Sequence, residues 1–147
     1  MKLPQDFKEF LELFNAKHVE YMIVGSYALA YYGAPRYTGD IDVFVRRTEI
    51  NAKRIIEALN EFGFIFPNLT WEDFCKDDTV VQLGVPPVRI DIITFLSGMS
   101  WDVAVLHQIS DEIDSIPVSV IGKEDYIVNK RAAGRAKDLA DVEALTR

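Results

Sequence analysis

Three aspartates carry the chemistry that this sequence can be expected to do. Asp40 and Asp42 lie two residues apart in D-I-D-V-F-V, and Asp91 interrupts the otherwise apolar run V-R-I-D-I-I. Side chains alternate between the two faces of a β-strand, so Asp40 and Asp42 share one face while Ile41, Val43 and Val45 share the other. By the same rule Val88, Ile90 and Ile92 face one way and Arg89, Asp91 and Ile93 the other. Two carboxylates about 5 Å apart repel by roughly 3 kcal/mol at an effective dielectric near 20. A fold that keeps such a pair calls for a cation between them, and hard oxygen ligands suit Mg²⁺. An aspartate inside an apolar strand is costly when buried alone. Beside Asp40 and Asp42, Asp91 would complete a three-carboxylate metal site. The competing expectation is an ion pair of Asp91 with Arg89 or Arg36.

A second chemical feature lies upstream. The apolar run Y-M-I-V is followed by Gly25 and Ser26 and then by a helix-like segment rich in Ala, Leu and Tyr. A glycine between strand and helix lets the backbone come close to a ligand. The first amides of a helix lack intrahelical partners and favour anions. The Ser26 hydroxyl can cap that helix or donate to a phosphate oxygen. Residues 21–45 therefore read as strand, Gly-Ser turn, helix, loop and strand, joining a phosphate cradle to a metal-binding pair.

The pattern Gly25-Ser26-x13-Asp40-x-Asp42 resembles the signature of the nucleotidyltransferase superfamily, the polymerase-beta-like fold. Its longer form, with Gly33, Pro35-Arg36, Thr38 and Asp40-Ile41-Asp42, is similar to small bacterial nucleotidyltransferase-like proteins related to the AbiEii toxin family. Residues 130–141 also resemble the C-terminal K-x4-R-x-K-D-x-x-D element of those proteins, at Lys130, Asp138 and Asp141. The resemblance implies transfer of a nucleoside monophosphate from an NTP to an acceptor hydroxyl. Asp40 and Asp42 would hold one or two Mg²⁺ or Mn²⁺ ions, and Asp91 would bind the second metal and assist deprotonation of the acceptor. Gly25, Ser26, Arg36, Thr38 and Lys130 would contact the nucleotide, and Asp138 and Asp141 would shape its site. The acceptor stays open among RNA, protein and small molecule, and an antitoxin partner is implied. Two other functions fit the same residues: a non-catalytic nucleotide- or partner-binding module, and a metal-dependent phosphohydrolase.

These groups must be positioned by a single domain. The 147 residues suffice for one core, and 27% charged residues are ordinary for a globular chain. No apolar run reaches the ~18 residues of a membrane span, and no leader pattern opens the chain. With one cysteine and two histidines a structural zinc site is not expected. These features predict a cytoplasmic protein, and a net charge of −7 argues against bulk attraction to nucleic acid. The expected fold is α/β (α+β), a mixed sheet of four to five strands with helices packed on it. Its core spans about residues 19–121, and C-terminal helices over about 122–147 close the cleft.

Helical apolar stripes are expected over residues 6–16, 50–62 and 139–145, and around Tyr126 and Ile127. Trp101, Val105 and Ile109 suggest a further helical face. Strands are expected at Tyr21–Val24, Asp40–Val45, 79–83, 88–95 and 116–121, with a short one at 64–66. Pro117 favours an edge position for the strand that holds it. Residues 71–78 read as a connecting loop or short helix, and Asp111, Glu112 and Asp114 as a solvated acidic stretch.

Overall fold

The computed structural model describes residues 1–34, 39–85 and 88–147. In chain order the elements are α1 (Gln5–Ala16), β1 (Tyr21–Val24), α2 (Gly25–Tyr31), β2 (Asp40–Val45), α3 (Glu49–Phe62), β3 (Val80–Val85), β4 (Val88–Ile93), α4 (Trp101–His107), β5 (Ile109–Ile113), β6 (Ile116–Val120), α5 (Lys123–Ala133) and α6 (Ala136–Thr146). A 3-10 turn at Trp71–Cys75 follows α3, so residues 71–78 form the expected connection. The described strands make one mixed six-stranded sheet in the order β3-β4-β2-β1-β6-β5. β2 runs antiparallel to β1 and parallel to β4.

Alternation sorts the two faces. Tyr21 and Ile23 pair with Val45 and Val43 on the face covered by α1 and α3. There Phe14 meets Tyr21 edge-on, and Phe10 meets Phe62. Phe7, Phe10, Leu11 and Phe14 of α1 are buried, as their i, i+3, i+4, i+7 spacing requires. The other face carries Asp40, Asp42 and Phe44, with Trp101 of α4 packed edge-on against Phe44. Asn51 fixes the α1 side. It is fully buried, accepts from the Glu20 amide at 2.7 Å, and donates to the carbonyls of Glu20 and Arg46. One side chain thereby ties the start of β1, the end of β2 and the first turn of α3.

Four expectations need correction. The sheet has six strands rather than four to five, because β5 adds an edge. Ile109–Ile113 is I-S-D-E-I with only Ile113 buried, so it lacks the apolar alternation of a half-buried strand. Ile109 and the acids Asp111 and Glu112 therefore belong to this strand and not to α4 or a loop. Residues 64–66 form no strand, and Phe64 stacks between Phe62 and Phe66 instead. β6, which carries Pro117, lies inside the strand order, but β1 pairs with it only at Val120. Pro117 falls on the stretch without a β1 neighbour, where its missing N–H costs no ladder bond.

Candidate active site

The parallel register of β2 and β4 sets Arg89 opposite Asp40 and Asp91 opposite Asp42. All four side chains leave the same face of the sheet. One carboxylate oxygen from each of Asp40, Asp42 and Asp91 lies within 4.8 Å of the others. The expected clustering of the three acids is met.

The acids are not equivalent. Arg89 lies among them as a fork. Its Nε donates to Asp91 Oδ1 at 3.0 Å, and its terminal nitrogen donates to Asp91 Oδ2 at 3.0 Å and to Asp40 Oδ2 at 2.9 Å. The ion pair between Arg89 and Asp91 is therefore present together with the cluster. Asp42 receives none of these bonds. Burial, and then the charges of Asp91 and Asp40, push its carboxyl up from 3.8 to about 7.

Gly25 explains how Asp42 can lie so close to the chain. Val24, the last residue of β1, pairs with Asp42, and the next residue turns with φ +65°. A Cβ at Gly25 would collide with the Asp42 carboxylate. Only glycine combines that backbone angle with that approach. Ser26 is inside α2 rather than its cap, since the N-cap position falls on Val24. Arg36 and Thr38 lie outside the described residues.

The C-terminal helices supply the opposite wall. A cavity of about 180 Å³ is lined by Gly25, Asp42, Asn129, Lys130, Arg135 and Asp138, among others. Lys130 is largely buried. Its Nζ lies 3.4 Å from Asp138, 3.9 Å from Asp141 and 5.5 Å from the Tyr126 ring centre. Burial alone would raise Asp138, but the hydrogen bond from Arg135 and the charges of Lys130 and Arg135 outweigh it and hold that carboxyl below its usual range. Lys130, Asp138 and Asp141 are thus together at the site, with the lysine turned toward the two acids.

Arg135 is the residue that sequence reasoning passed over. Its Nε donates to Asp138 Oδ2 at 2.7 Å, yet its side chain stays 63% exposed. A larger cavity, about 340 Å³, lies beyond Phe95 and Leu96, but among the described residues the only ionised side chains lining it are Arg47 and Asp77. The chemistry is concentrated in the smaller one.

The donor set fits a divalent cation. Three hard carboxylates converge, burial and the neighbouring acids suppress the charge of one of them, and basic side chains stand across the cavity.

Residues 4–147 match the family described as "Nucleotidyl transferase of unknown function (DUF2204)". Among solved structures, a Thermotoga maritima protein described as a candidate nucleotidyltransferase superposes with a TM-score of 0.61 at 15% identity. The match covers 95% of this chain and 87% of that one. No curated protein matches the chain.

Proposed function

Because the chain belongs to the family of nucleotidyl transferases of unknown function, we propose that it transfers a nucleoside monophosphate from an NTP to an acceptor hydroxyl, releasing pyrophosphate. The observation that carries this reading is the convergence of Asp40, Asp42 and Asp91 within 4.8 Å beside a cavity walled by Lys130 and Arg135. Asp40, Asp42 and Asp91 would hold Mg²⁺ or Mn²⁺, whose chemistry when bound is to stabilise charge on the attacking and leaving oxygens of an in-line displacement. Asp91 assists loss of the acceptor proton. Gly25 lies against Asp42, and in this reading Gly25 and Ser26 complete the nucleotide contacts together with Arg36 and Thr38. Arg135 and Lys130 offset phosphate charge, and Asp138 and Asp141 hold Lys130 in place.

The acceptor we favour is a hydroxyl of an RNA or a protein. The described residues form one sheet with its helices, without a second domain that would enclose a small acceptor. The likeness of residues 130–141 to the AbiEii-like element extends the proposal to a toxin role with an antitoxin partner. Growth arrest on induced expression, relieved by Asp42→Asn, is the expected result.

A second reading, a nucleotide-binding module without turnover, draws on Arg89, which satisfies two of the three acids from within the chain. One experiment separates the readings. The purified protein is incubated with each labelled NTP, Mg²⁺ or Mn²⁺, and cell extract. Transfer predicts label in a macromolecule and pyrophosphate in solution, both lost in Asp42→Asn. Metal-dependent nucleotide binding without pyrophosphate would favour the module. Inorganic phosphate as the product would point to a hydrolase, and label found only in small metabolites would count against the acceptor class.

A further inference from the structure

Arg89 has no part in the transfer proposed above, yet among the described residues no side chain is bound more closely into the cluster. We propose that Arg89 takes the place of a second divalent cation, so that the free protein binds one metal ion at Asp40, Asp42 and Asp91 rather than two. The inference rests on the metal-binding part of that function.

Geometry is the first argument. The β2–β4 register places Arg89 directly opposite Asp40 and two residues before Asp91 on the same face. From there one guanidinium bridges two acids. It engages both oxygens of Asp91 and one of Asp40, at 2.9 to 3.0 Å. In two-metal sites an ion bridges carboxylates in the same manner, and the two ions stand about 3.5–4 Å apart. A guanidinium is a planar fork that stays charged, so it can act as a permanent bridging cation.

Charge is the second argument. With all three carboxylates ionised, the described cluster of three acids and one guanidinium carries two negative charges, which one divalent ion cancels. Among the described residues the neighbouring basic groups do not alter that balance. Lys130 and Arg135 are bonded to Asp138, with Asp141 alongside, and these four side chains are neutral as a group. A second divalent ion in the free protein would make the cluster net positive and would lie against the guanidinium. Asp42, which Arg89 does not touch, is the acid left to anchor the single ion.

The test counts ions without relying on activity. Mn²⁺ is titrated into the full chain, and free Mn²⁺ is read from its electron paramagnetic resonance signal. The expected counts are one ion per chain for wild type, one for Arg89→Lys, which keeps the positive charge, and two for Arg89→Gln, which removes it. Two ions in wild type overturn the inference and leave the metal-binding reading standing. So does a count of one in Arg89→Gln or of two in Arg89→Lys. No bound ion in wild type removes both readings together. Should Arg89→Gln fail to fold, the wild-type and Arg89→Lys counts still decide.

Discussion

Asp42 carries the unrelieved part of the cluster's charge. Its carboxyl ionises near 7 in the folded chain against 3.8 for an unperturbed aspartate. The folded state therefore holds this proton more tightly than the unfolded state. The stability it contributes is fully present below about pH 4 and is lost as pH rises through 7. Asparagine mimics the neutral carboxyl at nearly constant volume. In EDTA, Asp42→Asn should melt close to wild type at pH 4 and above it at pH 8. Mg²⁺ should raise the wild-type midpoint at pH 8 and leave the variant unmoved, with the exposed Glu143→Gln as control. Parallel pH profiles for the two proteins, or an equal Mg²⁺ response, would refute the role given to Asp42. Gly25→Ala tests the same site from the backbone. A Cβ there meets the Asp42 carboxylate at φ +65°. The expected cost is about 1–3 kcal/mol, read by urea melts, together with a weakened Mg²⁺ response. A variant as stable and as metal-responsive as wild type would show that the close approach is not needed.

At the scale of elements, legibility in the sequence followed the contrast between neighbouring residues. β2 and β4 could be read because single acids interrupt apolar runs at period two, and that also fixed which acids share a face. The same parity put Arg89 beside Asp91, but sequence could not show a fork reaching across to Asp40, because that contact depends on the β2–β4 register. β5 was missed because an exposed edge strand leaves no pattern to find. Asn51 was missed because nothing local marks a polar residue in a helix as buried. Arg135 was passed over because a basic helical segment reads as solvated. Between α5 and α6, Lys130 is buried beside Asp138 and Asp141 whereas Arg135 stays mostly exposed, so removing each should have a different effect. Lys130→Met leaves Asp138 and Asp141 buried without their shared cation, which should cost about 3–5 kcal/mol. Arg135 is mostly exposed, so Arg135→Gln should cost no more than about 1 kcal/mol. It should keep the Mg²⁺-dependent rise in melting temperature and lose the further rise produced by an NTP. If Lys130→Met is the mild variant and Arg135→Gln the unstable one, the assignment is reversed.

Across the whole molecule, the candidate site joins the middle of the chain to its C-terminal part. Asp40, Asp42 and Asp91 come from the sheet, whereas Lys130 and Arg135 come from the helices that follow it. Those helices are also part of the core. Tyr126 is fully buried, and Ile127 and Val142 nearly so, alongside sheet residues such as Ile23 and Val120. Gly98, which precedes α4, sits so close to α5 that a Cβ there would strike Ala132. A chain built this way should unfold as one unit. Trp101 packs on Phe44 over the sheet face that carries the acids, so with Trp71 replaced by Phe its fluorescence reports that face, while far-UV circular dichroism reports all helices and strands. The two signals should give one common midpoint in EDTA, and Mg²⁺ should raise both by the same amount because it binds only the folded chain. A chain ending at Ile121 loses a buried tyrosine and two buried aliphatic side chains. Burying a large apolar side chain contributes about 1.5–3 kcal/mol, and a domain's whole stability is about 5–15 kcal/mol. The shortened chain should therefore show no cooperative transition. Separate midpoints for the two probes, or a cooperative melt in the chain ending at Ile121, would make the sheet and the C-terminal helices two units, with the site at the seam between them.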